Sequence, residues 1–105
     1  MPSAPPRQTP ARLGITEAEW ARTVVEYAEL MGWRVYRAWL SVRSPAGYPD
    51  LTLVRERVVW AELKAEEGKL TKAQREWEYA LYFAGANCYV WRPSDWDEVQ
   101  RVLGR

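Results

Sequence analysis

Histidine is absent from this chain of 105 residues, which removes imidazole acid–base chemistry and most zinc sites. Cysteine occurs once, at Cys88, so no internal disulfide can form. A lone thiol in an apolar, strand-like run behaves as a small hydrophobe and suits a reducing cytoplasm. No apolar run approaches the roughly 20 residues of a membrane span, and the N-terminal segment lacks the apolar core of a secretion signal. Net charge is only +1. Bulk electrostatics therefore do not announce a nucleic-acid binder, and such a role would depend on positive charges gathered on one face.

What is present is enough for one small domain and not two. Residues 1–12 hold four of the seven prolines and almost nothing to bury, so residues 1–13 read as a disordered or extended tail. Residues 14–105 read as a single domain. Its first helix starts at Thr16, where Thr16-x-x-Glu19 fits a capping box, and ends at Gly32. Trp20, Val24, Tyr27, Ala28 and Met31 form its apolar stripe. Glu19 has the capping job. Glu17 shares the core-facing side at the helix start, where it either joins a site or complements the helix dipole.

Trp33–Leu40 reads as a strand rich in aromatic and branched residues. Arg34 and Arg37 fall on opposite faces of it, so at most one reaches a site. A polar loop with two prolines follows, in which Ser41, Arg43 and Ser44 are either solvated or placed to touch a phosphate. Asp50–Arg55 and Val58–Lys64 form a hairpin whose tip, Glu56-Arg57, lacks the usual Gly and Asn turn residues. On its second strand Val58, Trp60, Glu62 and Lys64 share one face. Charges ending an apolar strand are costly to bury without compensation. An acid two positions before a lysine, with Asp50 opening the neighbouring strand, is the pattern of a site for a hard divalent cation.

Thr71 is a plausible cap for the second helix, with Ala73, Trp77, Ala80, Leu81 and Ala84 as its stripe and Gly85 as its end. Lys69, Lys72 and Arg75 cluster at its start, either as solvated charges or as a phosphate-binding group. Asn87–Arg92 is a fourth strand, stopped by Pro93. Ser94 or Asp95 caps a last short helix through Leu103. The order α-β-β-β-α-β-α predicts an α/β domain, a mixed four-stranded sheet flanked by helices, with the strand after the helical crossover parallel to a neighbour. Tyr79, Tyr82, Trp39 and Trp91 are aromatics that could fill the core, build an interface or stack on bases.

Pro49-Asp50 followed by Glu62-x-Lys64 resembles the PD-(D/E)xK nuclease signature. The longer segments GYPDLTLVR, WAELKAEEGKLTKAQREW and GANCYVWRPSDW resemble the VRR-NUC (virus-type replication-repair nuclease) branch, over about Thr16 to Leu103. That branch includes stand-alone phage proteins similar to Holliday junction resolvases. The resemblance implies a restriction-endonuclease-like core and hydrolysis of DNA phosphodiesters. It implies Asp50, Glu62, Lys64 and Gln74 as catalytic residues. One or two Mg²⁺ ions, with Mn²⁺ as a substitute, would be held by Asp50, Glu62, the Leu63 main-chain carbonyl and, from the first helix, Glu17. DNA contacts are expected from Arg43, Ser44, Lys69, Lys72 and Arg75. A domain this small has little room to read sequence, so branched DNA, a four-way junction above all, is the expected substrate. Cutting two strands symmetrically would require a homodimer. A phage or prokaryotic cytoplasm is the implied setting. Flap, mismatch or restriction-type cleavage on the same core, or an idle DNA-binding module, are the rival readings.

Overall fold

The computed structural model describes residues 14–38 and 45–104. The expected tail and the loop residues Trp39, Ser41, Arg43 and Ser44 lie outside them. The first helix, α1 (Glu17–Leu30), begins as its capping box dictates: Glu19 N–H donates to Thr16 Oγ1 at 3.1 Å and Thr16 N–H to Glu19 Oε1 at 2.9 Å. Trp20, Ala21, Val24 and Ala28 form its buried stripe. Tyr27 and Met31 are only half-buried at its margin. Gly32, at φ 90°, turns the chain into β1 (Arg34–Arg37), shorter than the strand the sequence suggested. Then come β2 (Leu51–Val54), β3 (Val58–Leu63), α2 (Lys72–Phe83), β4 (Asn87–Trp91), a 3-10 turn (Pro93–Asp95) and α3 (Trp96–Leu103).

The sheet runs β1-β2-β3-β4. Its first three strands are antiparallel, and β4 returns parallel to β3 with Leu63 beside Trp91. Leu51, Leu53, Val59, Ala61, Leu63 and Trp91 point to one face, where α1 and α3 bury them against Trp20, Val24, Ala28, Val99 and Leu103. Each such large side chain contributes about 1.5–3 kcal/mol. Two indoles are anchored as well as packed, since Trp20 Nε1 donates to the Trp91 carbonyl at 3.0 Å and Trp91 Nε1 to Glu98 at 2.9 Å. Trp91 is therefore core and unavailable to an interface.

The other face is covered by α2, which has no fully buried residue. Ala80 and Ala84, expected in its stripe, are exposed. Among the described residues no helix is long and apolar enough to cross a membrane. The final helix differs in its start. Asp95 accepts from Arg92 N–H at 2.8 Å, capping the 3-10 turn rather than α3 itself.

The hairpin tip explains its own odd composition. Glu56 is paired with both flanking arginines. Arg55 Nη1 also donates to the Met31 and Leu103 carbonyls at 2.9 and 3.3 Å, and Arg57 to that of Val102. Both guanidinium groups lie over the Trp33 ring, at 4.6 and 5.0 Å, while Trp33 Nε1 donates to the Leu103 carbonyl at 2.8 Å. Cations thus bind terminal carbonyls of two helices, in addition to Gly32 at the end of the first, and cation–π contacts fix the tip in place of a tight turn sequence.

Candidate active site

The hairpin register pairs Leu51 with Ala61, so one step further brings Asp50 opposite Glu62. Directly opposed side chains on antiparallel strands share a face, and like charges there repel. Two supports hold Asp50 in this unfavourable place. Its Oδ2 accepts the Leu63 N–H at 2.8 Å, and its own carbonyl accepts the Ala38 N–H at 2.8 Å, extending the β1–β2 ladder.

Glu62 is 5% exposed, and its Oε1 is buried without a hydrogen-bond partner among the described residues. Burial, then the charge of Asp50, with which a protonated Glu62 can share a hydrogen bond, pushes its carboxyl up to about 8; Lys64 opposes the shift. Both effects disfavour the ionised form for ordinary reasons, desolvation and a like charge nearby.

The other oxygen, Oε2, accepts from Gln74 Nε2 at 2.8 Å. Gln74 is itself held by a second capping box. Its backbone N–H donates to Thr71 Oγ1 at 3.1 Å, and its Oε1 accepts from Thr71 N–H at 2.9 Å. The motif that starts α2 thereby leaves one amide group aimed at Glu62. Thr71 was expected as a cap and the family resemblance implied Gln74 at the site; the spacing Thr-x-x-Gln was the signal that joins the two. Gly47, at φ +87°, lets the loop before Asp50 press onto α2. A Cβ there would stand 2.4 Å from the Ala73 carbonyl carbon. Tyr48 extends this seam, edge-on to Trp77 at 5.0 Å and accepting from Trp60 Nε1 at 3.1 Å.

Beside Asp50 an open cleft of about 390 Å³ is lined by Glu17, Arg37, Asp50, Leu63 and three alanines. Glu17 is exposed on the wall of this cleft. Among the described residues no three His, Cys, Asp or Glu side chains form a group that could hold a metal ion, so Glu17 does not close a three-carboxylate cluster with Asp50 and Glu62. Lys64 is half-buried, leaving β3 just beyond Glu62. Arg37, from the opposed arginines of β1, is the one that reaches the cleft. Composition could not distinguish it from Arg34; the pairing of Arg37 with Leu51 does.

The expected DNA-contacting cluster is spread and partly engaged. Lys69 and Lys72 are exposed, with Lys72 4.0 Å from Glu76. Arg75 donates to the Leu70 carbonyl at 2.9 Å. Below α2, Cys88 is half-buried, and burial followed by the charges of Glu78 and Glu62 pushes its thiol up to about 11. That is the behaviour of an inert side chain.

A mixed four-stranded sheet with helices on both faces and an opposed carboxylate pair at the open end of its hairpin defines a restriction-endonuclease-like α/β core. No protein-family model matches the chain, and no curated protein does either. Solved structures do. A chain described as "VRR_NUC domain" is 26% identical, with a TM-score of 0.66 over 84% of this chain and 95% of that one. Another, a "VRR_NUC domain protein", is 20% identical, with a TM-score of 0.66 over 87% and 93%. The chain is similar in fold to these VRR-NUC domains, the family that its Pro49-Asp50 and Glu62-x-Lys64 segments led one to expect.

Proposed function

We propose that this protein is a nuclease that hydrolyses DNA phosphodiesters with a divalent cation, Mg²⁺ or Mn²⁺, at Asp50 and Glu62. One observation carries the reading: Glu62 keeps a buried carboxylate oxygen without a hydrogen-bond partner among the described residues, facing a second carboxylate. A protein gains nothing from that arrangement unless a proton or a cation enters it. The donors are all oxygens, as a hard cation requires. Asp50 and Glu62 would be the side-chain ligands, with the Leu63 carbonyl as an additional one. A bound ion would supply Lewis acidity to the attacking water and to the scissile phosphate.

The chain's own residues do the positioning. The Leu63 N–H fixes Asp50, and Gln74 fixes the orientation of Glu62. Lys64 would orient the water and steady the negative charge that develops around phosphorus. Lys69, Lys72 and Arg75, at the start of α2, would track the backbone of the bound strand, as would Arg43 and Ser44.

The preferred substrate we infer is a four-way junction, cut by a homodimer. A domain this small has little room to read sequence, and α2 displays a contiguous aromatic group, Tyr79, Tyr82 and Phe83, at 58, 67 and 81% exposure. Such a patch suits association with a second copy.

The test is cleavage of an end-labelled junction beside its linear duplex, with Mg²⁺ and with chelator. The expected result is paired, metal-dependent cuts in the junction only. Asp50→Ala should slow cleavage about a thousandfold or more, several kcal/mol of lost transition-state stabilisation. Equal cutting of the duplex would retain the nuclease and discard the junction. Binding without cutting in any metal would leave a DNA-binding module.

A further inference from the structure

The cleft beside Asp50 is lined by an arginine as well as by carboxylates. Arg37 closes the β1–β2 ladder opposite Leu51, and the next residue, Ala38, donates its N–H to the Asp50 carbonyl. The arginine is thus fixed to the same ladder that fixes Asp50. Both residues line the cleft, as does Glu17 on the first turn of α1. The remaining wall is formed by Leu63 and by Ala18, Ala21 and Ala38, which leave the space open.

We propose that Arg37 binds a phosphate group of the DNA strand in this cleft. The proposal rests on the nuclease reading given above. Its argument is one of charge and shape. A phosphodiester entering between Glu17 and Asp50 meets two carboxylates, and a cation at Asp50 answers only the inner one. A guanidinium on the same wall answers the rest, and its planar fork matches two oxygens of one phosphate. Lys64, half-buried next to Glu62, acts from the sheet side; Arg37 acts from the edge strand. The strand would be gripped from two directions, with the acids between them. Arg34 is the built-in comparison, because it lies on the same short strand but pairs with Val54 and projects to the opposite face.

The experiment measures binding of a fluorescein-labelled four-way junction, and of its linear duplex, by anisotropy. Ca²⁺ replaces Mg²⁺ to prevent turnover, and the titration is repeated across a series of salt concentrations. Arg37→Ala should weaken binding by about tenfold or more and make the slope of log K against log salt shallower by about one, the signature of a single lost phosphate contact. Arg37→Lys should keep the slope and lose part of the affinity, because the charge remains and the fork does not. Arg34→Ala should leave both unchanged.

An unaltered slope in a folded Arg37→Ala protein would overturn the proposal and make the arginine a structural tie between β1 and α1. An equal loss in Arg34→Ala would overturn it too, pointing to diffuse charge rather than a site. If the wild type cleaves DNA while both Arg37 variants bind as it does, this assignment alone fails. If the wild type neither binds nor cleaves DNA, the nuclease reading fails and takes this one with it.

Discussion

Glu62→Gln is expected to stabilise the metal-free protein while abolishing cleavage. The native carboxyl sits at about 8, against an ordinary 4.5. The fold therefore prefers Glu62 protonated. Its favourable contribution is fully present below the unfolded value and is lost as pH rises through the folded one. Above that point the protein carries a buried charge beside Asp50. A glutamine never ionises. It can still accept from Gln74, and its amide can donate toward Asp50 from the place of the orphaned oxygen.

Urea denaturation from about pH 5 to about pH 9 should therefore show the two proteins diverging, with the variant ahead by a few kcal/mol at the alkaline end. Adding Mg²⁺ should raise the wild type and not the variant, because only a site present in the native state gains from ligand binding. Curves that stay parallel across the range would mean that Glu62 is not held in its protonated form. Retained cleavage by the variant would remove Glu62 from the chemistry.

The second large effect is expected from Gly47→Ala. The residue is at φ +87°, and the three atoms nearest its Cβ would all be backbone: the Ala73 carbonyl carbon at 2.4 Å, its oxygen at 2.5 Å and the Gln74 nitrogen at 2.7 Å. Strain at a left-handed position costs about 1–3 kcal/mol, and overpacking adds a similar amount. Gly85 separates the two terms. It too has positive φ, +82°, but nothing within 4 Å of its Cβ. Gly85→Ala should cost only the backbone term and leave cleavage intact. Gly47→Ala should cost about twice as much and should also lose activity at temperatures where it is folded, because the seam it opens positions Asp50 on one side and Gln74 on the other. Denaturation curves beside cleavage rates check this. Equal behaviour of the two alanine variants would show that the seam does not position the site.

Much of this arrangement was legible because it is local. The capping box at Thr16, the stripe of α1, the hairpin and the parallel return of β4 each follow from spacing or from connection length. So does the face shared by Glu62 and Lys64. What the sequence could not show depends on partners far along the chain. Trp33 reads as a strand residue, yet its indole is held by Leu103, 70 positions away. Glu56-Arg57 reads as a poor turn until the carbonyl oxygens that Arg55 and Arg57 bind come into view. Glu17 and Glu19 were told apart by spacing alone: the capping box claims Glu19, and Glu17 lines the cleft. The apolar stripe of α2 was over-read at Ala80 and Ala84, because small residues suit an exposed helix as well as a buried one.

The clasp at the hairpin tip also bears on when the protein becomes competent during its synthesis. Trp33, Arg55 and Arg57 all find acceptors on residues 102–104, and Leu103 completes the core. A nascent chain that has emerged only as far as Val99 contains every proposed catalytic residue but lacks the carbonyl groups that lock the hairpin. Asp50 and Glu62 would then have no rigid frame to hold them opposed. A chain ending at Val99 should accordingly show no cooperative unfolding and no Mg²⁺-dependent stabilisation. The frame for the proposed chemistry in the middle of the chain is thus completed only once residues 102–104 are in place.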